Sequence, residues 1–393
     1  MSVETAPSKQ VWSVRDVVFG DVRYPYYLGQ DCLDRIAWHL GRCDPDRFLV
    51  ISDETVLGLH GDRFISELSR FAPVTPFGMP AGEGIKTAGA LVSHLEGAIA
   101  AGASRRSVVV AFGGGVPGNL AGLVAALLFR GLRLAHVPTT TVAAMDSTIS
   151  LKQAINSSRG KNHIGLYHTP HAVFTDVDLL RTLPERELRS GLCEATKNCL
   201  TLRPGSIPRL REVLRSDRRS AETLLWLLEE SLRAKTKAMA TDANEQRDGL
   251  ILEYGHTVGH AVEMCDYRRR AADGVSHGEA VAIGMRAAAR VAASVGEMNG
   301  ADVDLHDELV AALGGPFGIP GGIEVDDVMA VVRADNKRGY LNVRAGETAM
   351  VLLRRPGDPL GTAGCPLTAV DEQVVADAVQ ALMTADQPEG ARL

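Results

Sequence analysis

The chain has 393 residues, 45% of them apolar and 23% charged, with a formal net charge of −6. That length exceeds one hydrophobic core and points to two domains, and the balance is that of an ordinary globular protein. The mild negative charge, with Arg268-Arg269-Arg270 as the longest basic run, argues against a nucleic-acid partner.

The opening MSVETAPSKQVWSV lacks the basic and apolar regions of a signal peptide. The apolar run from Leu120 to Phe129 stops at Arg130, short of the roughly 20 residues that span a bilayer. Six scattered cysteines without a CxxC read as reduced thiols. A cytoplasmic protein with no membrane partner is expected, with tails at 1–11 and 384–393.

In the first half, short apolar runs alternate with helical patterns, the mark of a parallel α/β sheet. RFLVIS (47–52) is a buried strand followed by Asp53, which reads equally as a helix N-cap or as a ligand contact at a strand end. FGMPAGEGIK (77–86) is a Gly/Pro-rich loop carrying Glu83 and Lys86. RSVVVAF (106–112) is a strand that runs into Gly113-Gly114-Gly115-Val116-Pro117-Gly118-Asn119 and then a helix. Strand, glycine cluster and helix suit a pyrophosphate at a helix N-terminus, or simply a tight turn. LRLAHV (132–137) closes on Pro138-Thr139-Thr140, whose hydroxyls suit ribose contacts or capping. Asp146, Lys152, Asn156, Lys161, Asn162 and His163 then fall in a Gly/Ser-rich segment that reads as a phosphorylated-polyol site or as a solvated loop. A strand at 172–175 ends at Asp176.

From Arg189 the pattern changes to long helices. Glu194 and Lys197 share one helical face. Ala221 to Met239 is a helix with Lys235 and Lys237 near its end. LEYGHTVGHAVEMCDYRRRAADGVSHGEAVAIGM (252–285) gathers Glu253, His256, His260, Glu263, His277 and Glu279. Three of the eleven histidines fall within these residues. Imidazole and carboxylate donors without a cysteine pair suit Zn²⁺ or a related divalent ion with an open position. Thr257 stands where the HExxH motif of metalloproteases has Glu. Pro316, Pro320, Gly321 and Gly322 break the chain, Asp335-Asn336-Lys337-Arg338-Gly339 is a polar turn, and a short strand covers 349–353. The expected division is an α/β domain at 12–188 and a mainly α-helical domain at 189–383.

Taken in order, GGGVPGN, PTT, Asp146 with Lys152, GKN (160–162), LPERELRSGLCE-x-x-K, GHTVGHAVE, SHGEAVAIGM and DNK (335–337) resemble the sugar phosphate cyclase superfamily, whose founding member is 3-dehydroquinate synthase. The resemblance covers about 15 to 355. It implies a dehydroquinate synthase-like fold, an NAD-binding α/β domain and a divalent metal, Zn²⁺ or Co²⁺. It places Glu194, His256 and His277 as metal ligands and His260 in an acid/base or substrate-orienting role. Asp53, Glu83, Lys86, Gly114, Gly115, Asn119, Thr139, Thr140 and Lys161 fall on NAD-contacting positions. Arg130, Asp146, Lys152, Asn162, Lys197, Lys235 and Lys337 fall on substrate or phosphate positions, with Lys152 and Glu253 as catalytic candidates. Family members are homodimers in which Arg130 reaches the neighbouring site.

Departures from 3-dehydroquinate synthase mark a branch. Asn119 replaces an Asp, and Ser150-Leu151-Lys152-Gln153 replaces Gly-Gly-Lys-Thr. Arg268 to Gly274 lengthens the spacing from His256 to His277. Gly249 and Glu253 replace the Arg that grips a substrate carboxylate and an Asn. Losing that Arg and adding a carboxylate suit a neutral sugar phosphate. The resemblance then implies D-glucose 6-phosphate as the small-molecule substrate and a place in aminoglycoside (2-deoxystreptamine) biosynthesis. The implied sequence is transient C4 oxidation, phosphate elimination, re-reduction and intramolecular aldol closure to a carbocycle. Sedoheptulose 7-phosphate cyclisation, metal-dependent polyol dehydrogenation and non-catalytic NAD binding are the alternatives.

Overall fold

The computed structural model describes residues 12–383 apart from 159, 271–273, 316–317, 336 and 338. The expected tails, Pro316, Asn336, Arg338 and the centre of the 268–274 insert lie outside the described residues. The chain forms two compact units, 1–183 and 184–393. The expected boundary at 188/189 falls inside a helix, Glu185–Leu202, because Pro184 stands at its N-cap position and the helix begins directly after it.

The first unit is built on a seven-stranded sheet. Its strands are β1 (Trp12–Phe19), β2 (Val22–Gly29), β3 (Phe48–Asp53), β4 (Val74–Met79), β5 (Val108–Gly113), β6 (Arg133–Pro138) and, after a separate hairpin of β7 (Lys152–Ser157) and β8 (Gly160–Tyr167), β9 (Ala172–Asp176). The order is β1-β2-β9-β6-β5-β3-β4, antiparallel at β1–β2 and parallel elsewhere. Central strands bury both faces, so their residues alternate between two cores. Phe48, Val50, Val108, Val110 and Phe112 pack with Ile36, Leu40, Phe64 and Leu68. Leu49, Ile51, Val109 and Ala111 pack with Leu120, Leu123 and Val124.

Two readings of this half need correction. Only the start of the 146–163 segment is turn and irregular backbone: from Lys152 to Tyr167 the chain closes into the β7–β8 hairpin, whose backbone groups pair with each other. FGMPAGEGIK is loop only after Met79, since its first residues pair with β3. The alternation that signals a half-buried strand is hidden there by Pro76, Gly78 and Pro80, and sheet position overrides it.

The second unit is mainly helical. Its helices include Glu185–Leu202, Ala221–Met239, His256–Arg270, His277–Ser294, Gly300–Leu313 and Glu372–Met383, with a two-stranded pairing of Glu347–Val351 and Leu367–Asp371. The six cysteines are free thiols. Among the described residues no helix is long and apolar enough to cross a membrane.

Candidate active site

In the first unit the chain order reverses between β3 and β5: β4 lies outside β3, whereas β6 and β9 continue beyond β5. Ligands of open α/β sheets bind at such a switch point, beyond the carboxyl ends of the strands. Asp53 ends β3 and Gly113 ends β5. A Cβ placed on Gly113 would lie 3.6 Å from Asp53 Oδ2, so the two strand ends meet. Asp53 is also a helix N-cap, accepting from Val56 N–H at 2.9 Å through Oδ1.

Gly114 is the N-cap position of helix α1, Gly115–Leu127, which presents its first N–H groups at this end. Thr139 N–H donates to Gly113 O at 3.0 Å. Its buried hydroxyl has no hydrogen-bond partner among the described residues. Thr140 Oγ1 accepts from Ala143 N–H at 3.2 Å and caps the next turn. An unsatisfied hydroxyl, a glycine turn and a helix N-terminus fit a dinucleotide pyrophosphate.

Asn119 lies one turn into α1. Its Nδ2 donates to Gly115 O at 2.8 Å and its Oδ1 accepts from Ala154 N–H at 2.7 Å, tying β7 to the helix. A carboxylate could not make the first of these bonds. A second cluster joins Glu83, Lys86, Asn156 and Asn162. Glu83 Oε1 accepts from Asn156 Nδ2 at 2.9 Å, Asn156 Oδ1 accepts from Asn162 N–H at 2.9 Å, and buried Lys86 donates to Asn162 Oδ1. Burial, opposed by Glu83 and aided by Lys161, depresses the Lys86 ammonium pKa. Asp146 lies in the π-helical turn Ala143–Ser147, and Lys152 is exposed at the start of β7.

Arg130 is elsewhere. It sits on an exposed turn past the C-terminus of α1, about 20 Å along the helix axis from the glycine turn. Phe129 and Arg130 both hold left-handed backbone, φ 51° and 67°. Consecutive left-handed non-glycine residues are costly and collect at functional positions.

In the second unit, four helices supply the polar centre: α2 (Glu185–Leu202), α3 (Ala221–Met239), α4 (His256–Arg270) and α5 (His277–Ser294). Backbone packing draws them together. A Cβ on Gly284 of α5 would meet Gly255 O at 1.8 Å, and one on Gly278 would meet Ser190 O at 2.2 Å. These glycines let α4 and α2 press against α5, and the capping box of Ser276 and Glu279 fixes its first turn.

The result brings Glu194 Oε1 to 3.6 Å from His256 Nε2 and 3.4 Å from His277 Nε2. Glu194 is fully buried, and that oxygen has no hydrogen-bond partner among the described residues. Its other oxygen accepts from Lys197 Nζ at 2.5 Å. One imidazole nitrogen from each of His256, His260 and His277 lies within 4.8 Å of the other two. His256 Nδ1 donates to Tyr254 O at 3.1 Å, and His277 Nδ1 donates to Glu263 Oε2 at 3.2 Å, leaving both Nε2 atoms facing Glu194. An orphaned carboxylate oxygen facing two imidazoles fits a divalent cation with open positions.

Burial favours a neutral Glu194, yet Lys197 and the two imidazoles hold its carboxyl well below the usual range. Burial pushes His260 down to about 3, so it is a neutral imidazole. His277 overcomes its burial through Glu194 and Glu263 and rises to about 10. A divalent cation held by this nitrogen would have to displace that proton.

Glu253 ends the 3-10 helix Asp248–Glu253, three residues before His256. Lys337 Nζ is 3.4 Å from Glu253 Oε2 and 2.8 Å from Asp335 Oδ1, with Lys337 2% exposed. Lys235 is buried on α3. Glu263 and Asp335 were not anticipated in these roles. Glu263 lies on the face of α4 four residues before Tyr267, and no spacing rule ties it to His277. Asp335 could have been found as the acid two residues from a lysine of the phosphate type.

The profile of the 3-dehydroquinate synthase N-terminal domain matches residues 76–190, and that of the C-terminal domain matches 191–338. A 2-deoxy-scyllo-inosose synthase of Streptomyces kanamyceticus is 47% identical over 381 residues, covering 96% of each chain. One from Streptoalloteichus tenebrarius is 46% identical over 377 residues, covering 95% of this chain and 96% of its own. A crystal structure of 2-deoxy-scyllo-inosose synthase complexed with carbaglucose-6-phosphate, NAD⁺ and Co²⁺ superimposes with a TM-score of 0.85 at 32% identity, over 94% of this chain and 99% of that one. This chain belongs to the 3-dehydroquinate synthase family of sugar phosphate cyclases. Its fold is that of the family, an α/β domain followed by a helical one.

Proposed function

We propose that the chain converts D-glucose 6-phosphate into 2-deoxy-scyllo-inosose and inorganic phosphate, as a carbon–oxygen lyase of aminoglycoside biosynthesis. The geometry that carries this reading is the Glu194–His256–His277 centre together with Glu253, on the segment leading into it, and the Lys337 ammonium 3.4 Å from that carboxylate. When bound, NAD supplies a reversible hydride acceptor and the divalent cation a Lewis acid for a substrate oxygen.

The residues of the chain do the rest. The reaction has no net redox change, and its elimination and aldol steps need protons moved at carbon and oxygen. Glu253 is a carboxylate beside the Lys337 ammonium, suited to hold a proton on one step and release it on another. Lys152 holds or polarises a substrate oxygen, and neutral His260 orients a hydroxyl next to the metal ligands. Lys197, Lys235 and Lys337 bring positive charge to the phosphate, with Asp146 and Asn162 on substrate hydroxyls. Asp53, Glu83, Lys86, Gly114, Gly115, Asn119, Thr139, Thr140 and Lys161 surround the dinucleotide. Gly249 supplies no cation to recruit a substrate carboxylate, which favours a neutral sugar over a keto acid.

We read the active form as a cytoplasmic homodimer. Arg130 stands on a strained, exposed turn remote from the glycine loop of its own chain, which suits delivery to a partner's phosphate site.

The test is phosphate release with catalytic NAD⁺ and Co²⁺ or Zn²⁺, offering glucose 6-phosphate, sedoheptulose 7-phosphate and the dehydroquinate precursor separately. Release from glucose 6-phosphate without net NADH is expected. Release only from another substrate overturns the assignment, and NADH accumulating on an unphosphorylated polyol points to a dehydrogenase.

A further inference from the structure

Asp242 has no role in the chemistry above, yet its carboxylate is the centre of the loop that precedes Glu253. It is 7% exposed and lies three residues past the end of α3. Oδ1 accepts from Gln246 N–H at 3.0 Å, and Oδ2 accepts from Arg247 N–H at 2.7 Å and from Gly249 N–H at 2.9 Å. Three backbone donors on one carboxylate make a strong anionic clamp. Glu245, inside the clamp, holds a left-handed backbone with φ 54°.

Gly249 is the second residue of the 3-10 helix that ends at Glu253. A Cβ there would meet Asp242 Oδ2 at 2.8 Å and Glu245 Cβ at 3.3 Å. While the clamp holds, no side chain fits at 249. The start of the helix is also tied through Asp248 Oδ1, which accepts from Gly364 N–H at 2.8 Å. His256 is located separately, by the contact of Gly255 with Gly284 on α5.

From this arrangement we infer that Asp242 is a positioning residue. It clamps the loop 242–249, makes glycine obligatory at 249, and so sets where the Glu253 carboxylate sits relative to Lys337, while the metal ligands are placed by other contacts. The inference rests on Glu253 acting in proton transfer.

The experiment uses the full chain with NAD⁺ and Co²⁺ and reads phosphate release from glucose 6-phosphate, bound metal and NAD affinity. The variants are Asp242→Asn, Asp242→Ala, Gly249→Ala, the double variant Asp242→Ala/Gly249→Ala, and Glu253→Gln. Asp242→Asn and Gly249→Ala should each lower kcat on the order of 100-fold, the scale of a misplaced catalytic group. KM, metal content and NAD affinity should stay near those of the parent. The double variant should be no worse than Asp242→Ala, because removing the carboxylate makes room for the new Cβ. Parental kcat in Gly249→Ala overturns the inference, as do additive losses in the double variant or metal lost in step with kcat. If Asp242→Asn does not fold, Gly249→Ala and the cycle decide. Glu253→Gln separates the two claims. Turnover lost there but kept in Gly249→Ala refutes the inference alone, and turnover kept in Glu253→Gln refutes the proton-transfer reading and the inference together.

Discussion

Glu263 Oε2 accepts from His277 Nδ1 at 3.2 Å, on the edge of the ring away from Nε2, which lies 3.4 Å from Glu194 Oε1. The carboxylate can only accept, so it fixes the tautomer in which Nε2, the atom facing Glu194, is left to take a cation under the proposed metal role. Glu263→Gln should therefore weaken metal binding about 10- to 100-fold, the usual cost of losing such a partner. Metal retained after dialysis against a graded chelator series measures this, with NAD affinity as the unaffected control. Unchanged retention would remove Glu263 from the centre.

Thr139 offers a test on the dinucleotide side. Its hydroxyl is buried without a partner among the described residues, so the ligand-free fold gains nothing from it. Thr139→Val keeps the shape and should leave the melting temperature of the ligand-free protein unchanged or raised. NAD should bind roughly 5- to 10-fold more weakly, about one hydrogen bond's worth. Calorimetric titration with NAD⁺ checks it, and equal affinity in parent and variant sinks the assignment.

His136, on β6, gives a pH dependence. Burial, with a smaller contribution from His168, lowers its pKa from 6.5 to about 4. The folded state resists a proton that the unfolded chain accepts. Stability is complete above pH 6.5 and declines as pH falls from 6.5 toward 4. At pH 5 the loss from this one group is about 2 kcal/mol. Urea midpoints at pH 7 and pH 5 should differ less in His136→Leu than in the parent, and equal differences would reject the account.

The thiols divide by burial. Cys32, Cys193, Cys199 and Cys265 are buried, whereas Cys43 is half-exposed with its Sγ 3.2 Å from His171 Nε2. A disulfide reagent should modify Cys43 and half-exposed Cys365 in the native protein and reach the other four only on unfolding. Peptide mapping after brief labelling reads the order, and early modification of Cys193 or Cys199 would contradict it.

Much of the fold was legible in advance. The runs 47–52, 106–112, 132–137 and 172–175 fall on the central, doubly buried strands β3, β5, β6 and β9, with the first residue or two of the first three runs lying just before the strand, and continuous apolar sequence there is a direct consequence of having two cores. The outer elements were not legible. β1 and β4 are the edges of the sheet, β7 and β8 form a separate hairpin, and β2, although paired on both sides, is a Tyr-rich strand broken by Pro25, so none carries the continuous apolar run of a central strand.

The same division runs through the site. Sequence alone determined which donors are present: two imidazoles and a carboxylate in motifs of fixed local spacing, a glycine turn after a buried strand, and several lysines. Those follow from chemistry and helical period, which are local. Only the tertiary structure decided that Glu194 meets His277 across 83 positions of chain, that Glu263 and not Glu279 orients that imidazole, and that the Asp242 carboxylate closes the space at Gly249. Glu279, identical in type and nearer in sequence, is taken by Arg186, Arg189 and its own helix cap. Which of several equivalent carboxylates reaches a given nitrogen depends on how closely α2, α4 and α5 approach. Glycine-to-backbone contacts between those helices set that approach, and no pattern along a single helix carries it.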